Sequence, residues 1–146
     1  SIRGYRRFQG LGSDDWIFNF MKNCMGGSVF RCQLEVINKL IQLGSDLAFV
    51  LYQNNQPVGF MISHVNEKRN KQENKNVIYI EEIAILKKFR NKGYGCKAIE
   101  FVLNKYNSMD IARLHVFRHN EVAYRLYKKL GFNEIKSIGY WIKSLK

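Results

Sequence analysis

The sequence has few of the residues that brace or stiffen a chain. It contains three cysteines, Cys24, Cys32 and Cys96, without a CxxC spacing, and one proline, Pro57. An odd number of cysteines without that spacing argues against a disulfide framework or a zinc site. It is typical of a reducing compartment, so we predict a cytoplasmic protein.

Long apolar runs are also lacking. No stretch of about 18 or more apolar residues occurs, so no membrane-spanning helix is predicted. The first residues do not form a charged and then apolar segment of the signal-peptide type. With 146 residues, of which 46% are hydrophobic, the chain has the size and composition of one globular domain. We therefore predict a single domain over residues 1–146.

Acidic residues are half as common as basic ones. The chain has 24 Lys and Arg against 12 Asp and Glu, a net charge of +12. Such a charge makes a small nucleic-acid-binding protein one alternative. Against it, the basic residues are scattered apart from a denser patch at 68–75, and no RNA-binding motif with interleaved aromatics occurs.

Apolar periodicity divides the chain into strands and helices. Strands are predicted at 2–8, 47–52, 58–65, 77–86, 111–117, 132–138 and 140–145. Helices are predicted from residue 16 to the break at Gly26, over 30–43, after residue 95 and over 120–130. The second and third strands form a hairpin around Asn54-Asn55. Residues 66–76 are entirely polar and predict an exposed loop. The order favours an α/β fold around a mixed sheet.

Residues 90–95, Arg-Asn-Lys-Gly-Tyr-Gly, are the most informative segment. They lie between an apolar strand and a helix, and glycine at such a corner lets the backbone approach a ligand closely. The helix then directs its N-terminal N–H groups and positive dipole end at that ligand. This predicts a site for a phosphate or pyrophosphate.

A second motif, downstream of the glycine turn, indicates which class of anion-binding protein this is. Residues 114–117 lead into Asn120, Ala123, Leu126-Tyr127 and Gly131-Phe132. Together with the glycine turn, this pattern resembles the GNAT superfamily of N-acetyltransferases. The signature there is Arg/Gln-x-x-Gly-x-Gly/Ala after the fourth strand, then an Asn, a Tyr and a Gly-Phe in the next β–α unit. The resemblance implies a mixed, mostly antiparallel sheet of six to seven strands, with splayed central strands and about four flanking helices.

The resemblance also implies acetyl-coenzyme A as cosubstrate. Its pyrophosphate would lie on backbone N–H groups of residues 91–96, and its pantetheine arm beside β-strand residues 83–85. The residues assigned to the cofactor are Ile83, Ala84, Ile85, Arg90, Asn91, Lys92, Gly93, Tyr94, Gly95, Cys96, Asn120 and Tyr127. Among these, Cys96 contributes its backbone, and its side chain is interpreted as packing.

Acetyl transfer to an amine requires a base for the amine proton and an acid for the leaving thiolate. Glu81 and Glu82 are the candidate bases, and alternation along a strand would point them to opposite faces. Glu81 is our choice, because several members of this family that acetylate small amines resemble the chain in placing a Glu there. Pairing of both acids with nearby Arg or Lys, or a water chain in place of a base, stays open. Tyr127 is the candidate acid.

The acceptor is not indicated by any motif. The resemblance implies an amine, either on a small molecule or on a protein. Residues 16–43 and 136–143 would determine which acceptor the protein selects. A non-catalytic coenzyme A-binding domain of the same fold is a further alternative, and the sequence leaves open whether the chain forms a homodimer.

Overall fold

A computed structural model describes residues 4–7, 16–27, 30–31, 48–115, 121–135 and 140–146. The strands are β1 (Gly4–Arg7), β2 (Ala48–Gln53), β3 (Gln56–His64), β4 (Val77–Ile85), β5 (Ile111–His115), β6 (Asn133–Ile135) and β7 (Tyr140–Ser144). The α-helices are α1 (Trp16–Met25), α2 (Glu67–Glu73), α3 (Tyr94–Lys105) and α4 (Glu121–Lys129), and Lys87–Phe89 form a 3₁₀ turn. Of the helix predicted at 30–43, Phe30 and Arg31 are described, and both are helical.

The strands form one seven-stranded sheet in the order β1-β2-β3-β4-β5-β7-β6. Strands β4 and β5 are parallel, and the other neighbouring pairs are antiparallel. A parallel pair needs a long crossover, which α3 provides. The predicted α/β fold with a mixed, mostly antiparallel sheet is therefore confirmed.

The predicted hairpin is present between β2 and β3. Gln53 pairs with Gln56, which leaves Asn54 and Asn55 as a two-residue turn. Both have positive φ, 51° and 63°. Asn tolerates this region better than most residues, and a turn with two such residues matches the twist of the strands.

Apolar side chains cover both faces of the sheet. On one face lies the α3/α4 core, whose buried members are Phe49, Leu51, Val58, Met61, Ile78, Ile80, Tyr94, Ala98, Ile99, Val102, Ala112, Leu114, Tyr127, Phe132 and Trp141. On the other lies the α1 core, with Phe20, Met21, Cys24, Phe30, Val50, Phe60 and Ile62. The central strands β3 and β4 contribute to both cores, because alternate residues of a strand face opposite sides.

The prediction of a loop at 66–76 is wrong, because α2 occupies most of this segment. The helix is capped by Asn66, whose side chain accepts a hydrogen bond from the Arg69 N–H. It ends at Asn74, whose φ is 52°. Buried Asn70 donates from Nδ2 to the Val77 carbonyl at 3.2 Å, which attaches the helix to β4. A helix held by caps and one polar anchor has no apolar stripe for periodicity to detect.

Gly59 of β3 is enclosed by the neighbouring strand. A Cβ at this position would lie 2.6 Å from the Ala84 carbonyl oxygen and 2.6 Å from Ile85 Cδ1. Since Ala84 O belongs to the backbone, the strand itself would have to move to admit a side chain. The absence of a Cβ at Gly59 therefore sets how closely β3 and the end of β4 approach.

We predict that Gly59→Ala lowers the free energy of unfolding by about 1 to 3 kcal/mol, the usual cost of overpacking. Gly27→Ala is the matched control, because its Cβ would meet only Lys22 Cε at an ordinary 3.5 Å. Urea denaturation of both variants measures the difference. Equal stability of the two variants would contradict this account of the β3–β4 contact.

Candidate active site

The centre of the sheet opens into a fork. Strands β4 and β5 pair from Val77 with Ile111 up to Ile80 with Leu114. Beyond this point β5 stays with β7, whereas β4 continues to Ile85 paired with Gly59 of β3. No residue in the described ranges pairs with positions 81–85 on the β5 side. One edge of this backbone is thus available to hydrogen-bond an extended ligand.

A β-bulge lies at the base of the fork. Ile62 is opposite Glu82 and Ser63 is opposite Ile80, so Glu81 is the extra residue of β4. Ile80 and Ile83 consequently both pack toward the α3/α4 core. The prediction that Glu81 and Glu82 point to opposite faces is therefore wrong. The bulge interrupts the alternation of the strand. Glu81 and Glu82 therefore both lie on the face opposite to that of Ile80 and Ile83, which flank them.

The glycine turn joins β4 to α3 beside the fork. Asn91 and Gly93 have positive φ, 63° and 84°, a conformation that glycine adopts without strain. Gly93 caps α3, and the first helical hydrogen bond runs from the Lys97 N–H to the Gly93 carbonyl. The N–H groups of residues 94–96 hence have no acceptor within the helix. They form the donor set expected of an anion site.

Apolar groups close the space between the turn and the fork. A Cβ on Gly95 would lie 3.6 Å from Leu126 Cδ2 of α4 and 4.0 Å from Ile83 Cδ1 of β4. Both are ordinary contacts, so this position could hold Gly or Ala. Ile83, Ile85 and Leu126 are half-buried against the α3/α4 core, and Ala84 packs against the α1 core.

The charged side chains of the turn serve different contacts. Arg90 donates from Nε to the Ile85 carbonyl at 2.9 Å and from Nη2 to the Cys24 carbonyl at 3.1 Å. It thereby connects the end of β4 to the last turn of α1. Lys92 is exposed, with Nζ 5.7 Å from the ring centroid of Phe89. This cation–π contact holds the positive charge of Lys92 at the turn.

Two groups with raised pKa values lie at the fork. Partial burial raises the pKa of Glu82 to about 7, assisted by the charge of Glu81, while a hydrogen bond with the Ile83 backbone opposes the rise. Burial raises the pKa of Tyr127 to about 12, and the negative charge of Glu82 adds to this. Because the charge of Glu82 acts on Tyr127, the two groups lie within electrostatic range, which makes them a candidate base and acid.

Glu81 lies in a more solvated setting. Its side chain is 38% exposed, and its Oε1 is 3.3 Å from Nδ1 of His64. Sequence reasoning selected Glu81 as the base, and that selection stays a prediction. It gave no role to His64, because the contact depends on the β3–β4 register, which no local pattern encodes.

The side chain of Cys96, another predicted site residue, makes its contact within its own helix. Cys96 lies in the first turn of α3, with Sγ 3.6 Å from Glu100 Oε1. Burial and then the Glu100 charge raise the pKa of its thiol, so the thiol stays protonated near neutral pH. Asn120 lies outside the described residues.

Metal chemistry receives no support from the described part of the chain. It contains no group of three or more His, Cys, Asp or Glu side chains that could hold a metal ion. Separately, no described helix has both the length and the apolar character required to cross a membrane.

A mixed sheet that forks beside a helix-opening glycine turn is the architecture of the GNAT fold. The model of the Acetyltransferase (GNAT) family matches residues 17–132, and the chain belongs to this family.

Comparisons with individual proteins agree with this assignment. The chain is 34% identical over 111 residues to the uncharacterized N-acetyltransferase MJ1207 of Methanocaldococcus jannaschii, a match covering 73% of this chain and 48% of that protein. It thus spans about half the length of the relatives it matches in sequence.

Solved structures share the fold. PH1933 of Pyrococcus horikoshii superimposes with a TM-score of 0.73 at 24% identity, covering 97% of this chain and 98% of that one. The PaiA N-acetyltransferase of Thermoplasma acidophilum, solved with coenzyme A, superimposes with a TM-score of 0.69 at 15% identity, covering 95% and 96%.

Arg90 allows a test of how the turn is held in place. We predict that Arg90→Lys lowers the free energy of unfolding by about 1 to 2 kcal/mol, because one ammonium cannot replace a two-donor fork. Lys92→Met is the control: it removes a charge from the same turn and leaves stability within about 0.5 kcal/mol. Denaturant titration without ligand measures both. An unchanged Arg90→Lys variant would contradict a bracing role for Arg90.

Proposed function

We propose that the protein transfers an acetyl group from acetyl-CoA to a primary amine, by direct attack within a ternary complex. The observation that carries this proposal is the open β4 edge beside the α3 N-terminus. A pantetheine arm is an extended chain with amide groups, and a pyrophosphate is a compact anion. The fork suits the first and the helix N-terminus suits the second.

The binding residues are assigned as follows. The N–H groups of residues 94–96 would hold the pyrophosphate, with positive charge from Lys92 nearby. The backbone of Ile83, Ala84 and Ile85 would hydrogen-bond the pantetheine arm. Arg90 would act through the protein, by fixing the strand end against α1. Bound coenzyme A in the PaiA structure supports the choice of ligand class.

Bound acetyl-CoA would supply the acetyl group as a reactive thioester. The acceptor amine must be neutral to attack, so a group at the fork must take its proton. Glu82 fits this task, because a carboxyl with a pKa of about 7 is ionised in a large fraction of molecules at neutral pH and yet basic enough to accept a proton. Glu81, the alternative base, is more exposed.

Tyr127 would provide the proton for the departing sulfur. With a pKa raised to about 12, its phenol stays protonated over the whole working range and so is always able to donate. The neighbouring charge of Glu82 favours this protonated form. Glu82 would thus take the proton that makes the acceptor amine neutral, and the phenol proton would pass to the sulfur. The second proton, lost by the nitrogen as the amide forms, would restore the phenol of Tyr127, and Glu82 would release its proton to water.

Both acids lie away from the α3/α4 core, so the acceptor would approach from the side of α1. This agrees with the expectation that residues 16–43 contribute to acceptor choice. The acceptor would be an amine, on a small molecule or on a protein.

The proposed activity is tested by ligand binding followed by turnover. We expect acetyl-CoA to raise the melting temperature, as any ligand selective for the folded state does, whereas an oligonucleotide at moderate salt does not. Release of coenzyme A thiol with a panel of amines then measures transfer. Binding without thiol release for any amine would favour a non-catalytic coenzyme A-binding domain. A shift with the oligonucleotide alone would contradict the proposal.

The two acids are separated by their pH–rate profiles. We expect turnover to rise with pH through about 7, since Glu82 must lose its proton before it can act as a base. Glu82→Gln should lower kcat roughly 100-fold or more and remove this limb. Glu81→Gln should retain activity and move the limb to lower pH, because a neighbouring negative charge is gone. Loss of activity in Glu81→Gln, with Glu82→Gln active, would identify Glu81 as the base.

A further inference from the structure

A polar cluster lies on β3 and β4 directly beside the fork. His64 pairs with Tyr79 across the strands, and their rings are stacked at 5.1 Å with an interplanar angle of 12°. The same imidazole places Nδ1 3.3 Å from the Oε1 atom of Glu81. One face of the His64 ring thus stacks on Tyr79, while its Nδ1 atom contacts the carboxylate of Glu81, the bulge residue.

We propose that His64 is a positioning residue that holds the Glu81 carboxylate beside Glu82, and that this held charge sets how readily Glu82 accepts a proton. The proposal rests on the proposed function only for the role given to Glu82. The β-bulge supplies the geometry, since it makes Glu81 an extra residue without a cross-strand partner of its own. The ladder leaves the Glu81 side chain without a cross-strand neighbour at its own position, and the contact with His64 supplies one.

The imidazole suits this task because it is neutral. Burial lowers the pKa of His64, and the nearby Glu81 charge only partly offsets the effect. A neutral ring with its proton on Nδ1 can donate to the carboxylate without cancelling its charge. Nδ1 is buried, and no described residue makes a hydrogen bond of good geometry to it. The Glu81 carboxylate, 3.3 Å away, is therefore the acceptor nearest to hand for its proton.

Other charged groups border this cluster. From β5, Arg113 donates to the Tyr79 hydroxyl at 2.8 Å, and its guanidinium lies 5.4 Å from the Tyr79 ring centroid. From α2, Arg69 lies 5.7 Å from the same centroid and is paired with Glu73 at 3.0 Å. These charged groups lie around Tyr79, whereas the charged side chain of Glu81 contacts His64 itself. From α4, Tyr127 lies within range of Glu82, whose charge raises the pKa of the phenol.

The proposal is tested by NMR titration of side-chain carboxyls in protein labelled with ¹³C at Glu. Glu82→Gln identifies the resonance. In the wild type we expect a titration midpoint for Glu82 near 7. Glu81→Gln should lower this midpoint by roughly 0.5 pH unit or more, the effect of removing one close charge. His64→Phe, which keeps a ring against Tyr79 but loses Nδ1, should also lower it, because the freed carboxylate turns toward water.

Two further variants distinguish positioning from a general effect on the fold. His64→Asn places an amide N–H near the position of Nδ1, so it should restore the wild-type midpoint. In the double variant His64→Phe/Glu81→Gln, the midpoint should equal that of Glu81→Gln alone, because His64 acts through Glu81. Glu73→Gln is the charge control, since it removes a carboxylate that is paired with Arg69 of the same cluster, and it should leave the midpoint unchanged.

An unchanged or higher midpoint in His64→Phe would overturn the proposal, as would additive shifts in the double variant. The titration needs no acceptor and no cosubstrate. Failure of the proposed acetyl transfer would therefore appear in the thiol-release measurement, whereas failure of the His64 proposal would appear in the Glu82 midpoint.

Discussion

The separation of β4 from β5 is the constraint on which the site depends. Backbone N–H and C=O groups are obligatory hydrogen-bonding groups, and a sheet normally pairs them on both sides of a central strand. Among the residues that the structure describes, β4 is paired on both sides as far as Ile80, and on its β3 side thereafter. A central strand that keeps one edge open is suited to bind another extended chain, which is the shape of the pantetheine arm that we propose as its ligand.

Several features keep this edge in place. The contact of Gly59 with Ala84 and Ile85 holds the open segment against β3. Arg90 then attaches the end of that segment to α1 through two carbonyls. The helix N-terminus at Gly93 follows a few residues later, so the proposed sites for the pantetheine and the pyrophosphate are joined by one short, braced connection. In this arrangement Arg90, the cation of the family motif, contributes to structure. The backbone N–H groups of residues 94–96 then remain for the proposed pyrophosphate.

Local signals made part of this predictable from the sequence. Asn54-Asn55 predicted the hairpin, and the glycine turn after an apolar strand predicted the strand–helix corner, because both depend on the conformations of adjacent residues. The helix at Glu67–Glu73 was missed, since its stability comes from caps and from Asn70 rather than from an apolar stripe. The bulge was missed for a different reason. Its position depends on how β3 pairs with β4, and so the facing of Glu81 and Glu82 and the contact with His64 could not be inferred from one strand.

The central claim is that the open β4 edge and the α3 N-terminus together bind acetyl-CoA. The most direct measurement is the change in backbone amide chemical shifts of ¹⁵N-labelled protein when acetyl-CoA is added. The account predicts that the largest changes fall at Ile83, Ala84 and Ile85 and at Tyr94, Gly95 and Cys96, with small changes in β1 and β2. Saturable binding with its largest changes elsewhere, and none at these two segments, would contradict it.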